Sequence, residues 1–335
     1  MARRRTVTLQ DVAELAGVSA ATASKALNGR DRVSSATRAR VQLAARDLAF
    51  APVHTPPTEG LPGTIGLLTS DLMGRFSLPI LIGAEDMLAS GELSVFLCDA
   101  RGDAVRERHH LAALRDRQVA GLIVVGFAID ARDSVRHSVA LPTVYAYQPS
   151  SNANDISIVP DNFGGGRLVA EHLIATGRRR IVHISGPHHE AATSERGRGM
   201  RAALEDADLR FLAETGSGEW SEQWGRTAIA MLLARYPDTD AVICDSDRIA
   251  RGALDGLKAR DIDVPRTVAI TGFDNWDILA EGASPQLTSV DMDLERIGQV
   301  AARTLFDVLT GTTTEPGIRT EPCRLVVRGS TVAEL

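Results

Sequence analysis

Two sets of residues in this sequence have the types and spacing that chemistry needs. In the first, acids, amides and an aromatic follow short apolar runs: Asp71 after residues 65–68, Asp245, Ser246 and Asp247 after 241–244, and Asp274, Asn275 and Trp276 after 268–273, the last run ending on Phe273. Carboxylates accept hydroxyl protons while an aromatic face covers C–H patches, so this set fits a polyhydroxylated small molecule. In the second set, Ala23, Ala26 and Leu27 stand at i, i+3 and i+4, which leaves Ala20, Ala21, Ser24, Lys25 and Asn28 on the opposite, exposed face of a short helix capped by Ser19. Lys25 is the one charged side chain there, and lysine can hydrogen-bond guanine O6 and N7 in a major groove. Ala20 and Ala21 offer only apolar contact, for instance to a thymine methyl. Thr8, Thr22 and Ser34, with the helix N-termini, fit phosphate contacts, which position a domain on DNA without reading its sequence.

Other arrangements point nowhere. His188, His189 and Glu190 are adjacent, and adjacent residues rarely converge on one ion; HExxH spacing is missing. Gly197-x-Gly199-x-x-Ala202 has no strand ending before it, as a dinucleotide site requires, and Gly164-Gly165-Gly166 lacks the Lys-Ser/Thr of a phosphate loop. Arg178-Arg179-Arg180 reads as a solvated loop, and no G-x-S-x-G elbow occurs. Cys98, Cys244 and Cys323 are far apart and unpaired in sequence, as expected of buried thiols in a reducing compartment. The sequence therefore predicts no catalytic set, no metal and no cofactor.

The elements that must position these residues fall into two parts. Residues 6–50 read as three short helices. Val12, Ala13, Leu15 and Ala16 form the apolar face of the first, Gly17 is its stop, and Ser35 opens the third. Pro52, Pro56, Pro57, Pro62, Gly60 and Gly63 then mark a linker. From residue 64, apolar runs at 65–68, 93–97, 122–125, 181–184, 241–243 and 268–270 alternate with amphipathic segments such as 78–88, 168–175 and 200–204. Such alternation predicts doubly wound parallel α/β structure, in two lobes. Charge follows the same division. The 335 residues carry a net charge of −6, but residues 1–60 hold nine basic and five acidic groups, so the positive head sits on an acidic body. The longest apolar stretch, 121–129, is about half of a membrane span. No apolar segment follows Arg3-Arg4-Arg5, so a soluble, cytoplasmic, nucleoid-associated protein is expected.

The residues from Thr8 to Ser19, then Thr22-Ala23-Ser24-Lys25-Ala26-Leu27-Asn28-Gly29 and Val33-Ser34-x-x-Thr37-Arg38, closely resemble the headpiece of the LacI/GalR family of bacterial transcriptional repressors. The resemblance continues at Asp161-Asn162-x-x-Gly165, Gly272-Phe273-Asp274, Leu287-Thr288-Ser289-Val290 and Val327-Arg328-Gly329-Ser330-Thr331. It implies a helix-turn-helix headpiece over 1–52, a linker over 53–63 and a periplasmic-binding-protein-like body over 64–335. Lobe 1 would comprise about 64–160 plus 291–317, and lobe 2 about 161–290 plus 318–335. It further implies a homodimer on a pseudo-palindromic operator and a small effector, usually a sugar or nucleobase, between the lobes. By the same resemblance Arg196 holds effector hydroxyls, Trp220 is an aromatic wall and Asp274 a ligand-binding acid, while Ser246 replaces a frequent Asn. The linker departs from the family's pattern: Val53, Pro56, Pro57 and Glu59 stand where Asn, Ala, Arg and Leu usually form a minor-groove hinge helix. Glu59 would be repelled by phosphates, so binding through the major groove without an ordered hinge is expected, with Leu61 as a displaced wedge the alternative. Rival readings are a nucleobase- or nucleoside-responsive corepressor type and a transporter's solute-binding protein, which would not need residues 1–50.

Overall fold

A computed structural model describes residues 9–20, 22–23, 34, 37, 40–41, 43–45, 63–70, 72, 75–89, 94–312 and 314–333. The chain divides into two compact units, Met1–Gly60 and Leu61–Leu335.

In the first unit, helix α1 (Leu9–Ala16) ends at Gly17, whose φ of 63° is the left-handed conformation expected of a helix stop. Val12, Ala13, Ala16, Ala23, Val41, Ala44 and Ala45 bury together as a small core. Leu15 is not part of it: one position beyond the 12–13–16 stripe, it is 56% exposed. The third segment is also capped one residue earlier than expected, since the Ser34 hydroxyl accepts from the Thr37 amide at 3.2 Å.

The second unit contains two six-stranded sheets. Lobe 1 is built on β1 (Thr64–Thr69), β2 (Ser94–Asp99), β3 (Leu122–Val125), β4 (Thr143–Ala146), β5 (Ile156–Pro160) and β11 (Gly317–Glu321), in the order β11-β5-β4-β3-β1-β2. Lobe 2 is built on β6 (Ile181–Ile184), β7 (Ala213–Glu214), β8 (Ala241–Cys244), β9 (Ala269–Phe273), β10 (Thr288–Asp291) and β12 (Arg324–Val326), in the matching order β12-β10-β9-β8-β6-β7. The pairings are parallel except β10 with β12, an antiparallel edge that the sequence reading did not anticipate. Central strands such as β3 and β8 are buried throughout, as parallel strands covered on both faces must be.

Helices cover both sheets: α2 (Ser77–Ala89), α3 (Ala104–Asp116) and α9 (Leu294–Leu309) on lobe 1; α4 (Asn162–Ala175), α5 (Ala191–Asp206), α6 (Glu222–Arg235), α7 (Asp247–Lys258) and the short α8 (Asp277–Ala280) on lobe 2. Three helix pairs pack most closely, α2 with α9, α4 with α5, and α6 with α7. Each pair meets at reciprocal glycines. A methyl at Gly166 of α4 would collide with the Arg196 carbonyl of α5, and one at Gly199 of α5 with the Phe163 carbonyl of α4.

The chain passes between lobes after β5, after β10 and after β11. This corrects the expected boundary at 318: β11 runs on to Glu321 and pairs with β5 as far as Pro160, so the last passage falls at residues 322–323. Two of the passages are tied together, with the Asp161 amide donating to the Glu321 carbonyl at 2.8 Å and the Cys323 thiol to the Asp161 carbonyl at 3.3 Å. Among the described residues, no helix is long and apolar enough to cross a membrane.

Candidate functional site

Both sheets reverse strand order between their first and third strands, and the crevice at such a point, beyond the carboxyl ends of the strands, is where doubly wound sheets hold ligands. Here the two crevices face one another as a cleft of about 460 Å³. From lobe 1 it is walled by Arg75, Phe76, residues 127–130 and Tyr147, the last two segments directly following β3 and β4. From lobe 2 come Glu190, Arg196, Trp220, Arg248 and Trp276, with His189 and Ala192 at the mouth of α5. Phe76 and Tyr147 stack at 4.2 Å between centroids, presenting one apolar wall. Tyr147 is held at φ 70°, and Asp274 and Asn275 at 109° and 49°. Left-handed backbone at three non-glycine residues that follow strands is the kind of strain that ligand sites keep.

Arg196, on α5, is buried at 2% exposure. Its Nε donates to Asn162 Oδ1 at 2.8 Å, Nη1 to the Asp245 carbonyl, and Nη2 contacts Met292 Sδ at 3.8 Å. Phe273 lies beneath it, with the guanidinium 3.7 Å from the ring centroid. Every one of these contacts fixes the direction in which the guanidinium faces the cleft. Trp220 is fixed similarly: its indole N–H lies 2.9 Å from both Glu190 carboxylate oxygens, and the ring packs on Gly186, where no side chain would fit.

Polar contacts span the lobes at two places among the described residues. Arg75 Nη2 lies 2.7 Å from Asp274 Oδ2, and Asp130 Oδ1 accepts from the Ala191 amide at 3.2 Å, at the start of α5. Burial pushes the Asp274 carboxyl up from its ordinary value, while Arg75 and Arg196 pull against that rise. Asp247 accepts from the Ser289 hydroxyl at 2.6 Å and the Trp276 amide at 2.7 Å. Burial, reinforced by the charge of Asp274, pushes its carboxyl up to about 7.

Arg196 and Trp220 therefore line the cleft as the sequence reading expected, and four other expected residues hold different places. Ser246 caps α7, accepting from the Ile249 amide at 3.3 Å, and Asp247 braces Trp276 from behind; neither lines the cleft. Phe273 supports Arg196 rather than meeting a ligand. Asp274 is sealed by Arg75 and faces an adjoining hollow of about 260 Å³. Ser246 shows one physical reason, since a residue after a strand is also a residue before a helix, which claims its side chain; Asp247 and Asp274 are claimed instead by Ser289 with the Trp276 amide and by Arg75. Asp71 lies outside the described residues. Sequence reasoning misses Arg75, Phe76, Asp130, Tyr147 and Arg248, although Asp130 and Tyr147 follow β3 and β4 as the other candidates follow their strands. Glu190, which the sequence sets beside His188 and His189, lines the cleft and holds Trp220; among the described residues no cluster of three ligating groups that could hold a metal occurs.

In the head, Ser19 caps the second helical segment, accepting from the Thr22 amide at 3.1 Å and bonding the Thr22 hydroxyl at 2.9 Å. Ala20 is half-buried against the small core, not on the open face expected for it, because it lies beside Val18 at the turn. Ser34 is exposed. Thr8, Ala21, Ser24, Lys25 and Asn28 lie outside the described residues, as does the linker to residue 62.

Comparison with known proteins decides what this pairing of head and cleft is. Residues 8–53 match the family described as bacterial regulatory proteins, lacI family, and residues 170–331 a periplasmic binding protein-like domain. The HTH-type transcriptional regulator CelR of Thermobifida fusca is 35% identical over 341 residues, covering 98% of this chain and 100% of its own length. The chain belongs to the lacI family. Another relative, the HTH-type transcriptional repressor CytR of Escherichia coli strain K12, is 30% identical over 97% of this chain and 96% of its own. Among solved structures, a CelR–cellobiose complex matches with a TM-score of 0.66 at 32% identity, covering 97% of this chain and 99% of that one. A lac repressor dimer bound to operator and the anti-inducer ONPF matches at 0.75 and 26% identity, covering 98% and 100%. As a member of this family the chain is a DNA-binding transcriptional repressor with a domain for a small-molecule effector. Its relatives are transcriptional regulators.

Proposed function

We propose that this lacI-family repressor works as a homodimer and that its effector is a carbohydrate held between the lobes. The observation that carries the ligand class is the pairing of apolar ring faces with charged edges in one cleft. Phe76, Tyr147, Trp220 and Trp276 offer faces, while Arg196, Arg248, Asp130 and Glu190 offer donors and acceptors around them. A pyranose has the complementary form, with C–H faces and a rim of hydroxyls. The solved CelR relative holds cellobiose, a disaccharide of that kind.

Dimerisation is supported by apolar side chains left in solvent: Leu78 and Ile82, one turn apart on α2, and Ile278 on α8, 72% exposed. On DNA, Lys25 is assigned to base reading and Ser19, Thr22 and Ser34 to phosphates. Ser24, Asn28 and Ala21 complete the contact, and Thr8 lies at its edge. With Pro56, Pro57 and Glu59 in the linker, binding proceeds through the major groove with little kinking, and an operator-bending assay that finds a strong central kink would refute this. The body performs no catalysis in this reading. Ser185 stands 3.0 Å from His188 Nε2, but its hydroxyl is committed to the Gly216 carbonyl at 3.0 Å, and no described carboxylate orients the histidine. The cytoplasm, where operator and metabolite meet, is its place of action.

A thermal-shift screen of the full chain tests the ligand class. Cellobiose, glucose and adenosine are titrated separately; a sugar at about 100 Kd should stabilise the fold by about 2.7 kcal/mol. Stabilisation by adenosine with none by either sugar would replace the carbohydrate reading with a nucleoside one.

A further inference from the structure

Away from the cleft, lobe 2 carries a second hollow of about 410 Å³, between the first half of α5 and the edge formed by β6 and β7. One face of α5 makes its floor, where Thr193, Gly197 and Arg201 recur at four-residue spacing. Gly197 leaves the middle of that face bare, and the Arg201 guanidinium lies back over it, 3.3 Å from where a Cβ would stand. His183, Ser185, Glu214 and Thr215 form the facing wall.

Two features of this hollow ask for an acceptor. Thr193 is 5% exposed, lines the hollow, and has no hydrogen-bond partner for its hydroxyl. Buried hydroxyls in folded proteins are rarely left so, since an unpaired one keeps its full desolvation cost. Next, Arg201 uses Nε and Nη2 on Glu214, at 3.2 and 2.9 Å, and keeps Nη1 free. Glu214 is engaged from its other side by His183 Nδ1 at 3.2 Å, so its charge is already answered.

We propose that this hollow is a second ligand site, for a phosphate-type oxyanion held by the Thr193 hydroxyl and the free edge of Arg201. A tetrahedral oxyanion presents only acceptors, which matches a set of unspent donors. The site is not isolated from the cleft. Glu214 meets His183, His183 Nε2 meets Asp245 at 2.8 Å, and the Asp245 carbonyl accepts a hydrogen bond from Arg196 Nη1. An anion that draws Arg201 away from Glu214 therefore acts at the far end of a hydrogen-bond chain that ends on the cleft arginine.

The test is titration of the full chain with potassium phosphate against potassium chloride at fixed pH and ionic strength, read by calorimetry and by Tm. Glucose 6-phosphate is run as a separate titrant, so that tighter binding of the ester or of the free ion identifies which carries the group. Phosphate should bind and raise Tm, and Thr193→Val and Arg201→Gln should each weaken it by about tenfold or more. Thr193→Val keeps the shape and removes the unpaired hydroxyl, so its Tm without phosphate should equal or exceed wild type. Absence of binding to the wild type, or undiminished affinity in both variants, overturns the proposal. So does loss of phosphate binding in Arg248→Gln with retention in Thr193→Val, which would place the anion in the effector cleft.

Discussion

At the residue scale the molecule is governed by how buried charges are answered. Arg196 is buried yet stays in place because Asn162, the Asp245 carbonyl and the Phe273 ring each occupy a different side of its guanidinium. His183 shows the same logic with a measurable consequence. Burial alone would lower its basicity, but carboxylates of Asp245 and Glu214 on its two ring nitrogens reverse this and push it up to about 9 from 6.5. A group raised in this way contributes stability that is complete below pH 6.5 and is lost as the pH climbs through about 9. Tm should therefore fall over that window, by an amount on the order of 3 kcal/mol in stability. His183→Gln should flatten the window, and an unchanged slope in the variant would show that His183 is neutral in the fold. Asp247, raised from 3.8 to about 7, adds a decline at lower pH, between those two values. Lys25 belongs to this scale as well. Its replacement by Ala should weaken operator binding and relax preference at one base pair by about 1–3 kcal/mol, measured on base-substituted operators. Equal weakening on random DNA would make it a phosphate contact.

At the scale of elements, helix pairs place the cleft residues. α5 carries Arg196, and α5 can lie against α4 only because Gly166 and Gly199 let the two backbones approach. Gly199→Ala should cost about 1–3 kcal/mol in urea unfolding and reduce effector affinity by displacing Arg196. Wild-type stability and affinity in that variant would mean that the contact relaxes freely. Much at this scale was legible beforehand. The runs at 65–68, 122–125, 181–184 and 241–243 fall within observed strands, those at 93–97 and 268–270 overlap β2 and β9, which begin at Ser94 and Ala269, and the helix stop at Gly17 has its predicted conformation. The remaining strands escaped for a physical reason. Residues 143–146 include Thr and Tyr, 317–321 hold one Ile among Gly, Arg, Thr and Glu, and 324–326 lie at an exposed edge, so none of these is an apolar run. The cleft was half legible. Position after a strand marks the right region, but it does not separate a ligand contact from a cap. Ser246 caps the helix that follows and Asp247 braces Ser289 and Trp276, while Tyr147 and Asp130 line the cleft. Arg75 was invisible because its partner, Asp274, is distant in sequence and lies on the other lobe.

At the scale of the whole molecule, the two lobes share three chain passages and are bridged across the cleft by Arg75 with Asp274 and Asp130 with the Ala191 amide. A ligand between them changes their relative arrangement only insofar as it binds one arrangement better than another, and couplings of this kind are typically worth about 1–3 kcal/mol. The Arg75 bridge is one element such a ligand acts on. Arg75→Ala should alter the difference in operator affinity between sugar-bound and sugar-free protein while the head itself still binds DNA; an unaltered difference would remove the bridge from the switch. The central claim is that occupation of the Arg196 cleft by a carbohydrate sets the affinity for operator. Its most direct test is operator titration by fluorescence anisotropy at one salt concentration, with and without the stabilising sugar, on wild type and Arg196→Ala. The sugar should shift wild-type affinity by about 5- to 150-fold, and Arg196→Ala should bind operator as wild type does but show no shift. A normal response in Arg196→Ala, or a wild type whose operator affinity ignores the sugar, would contradict the account.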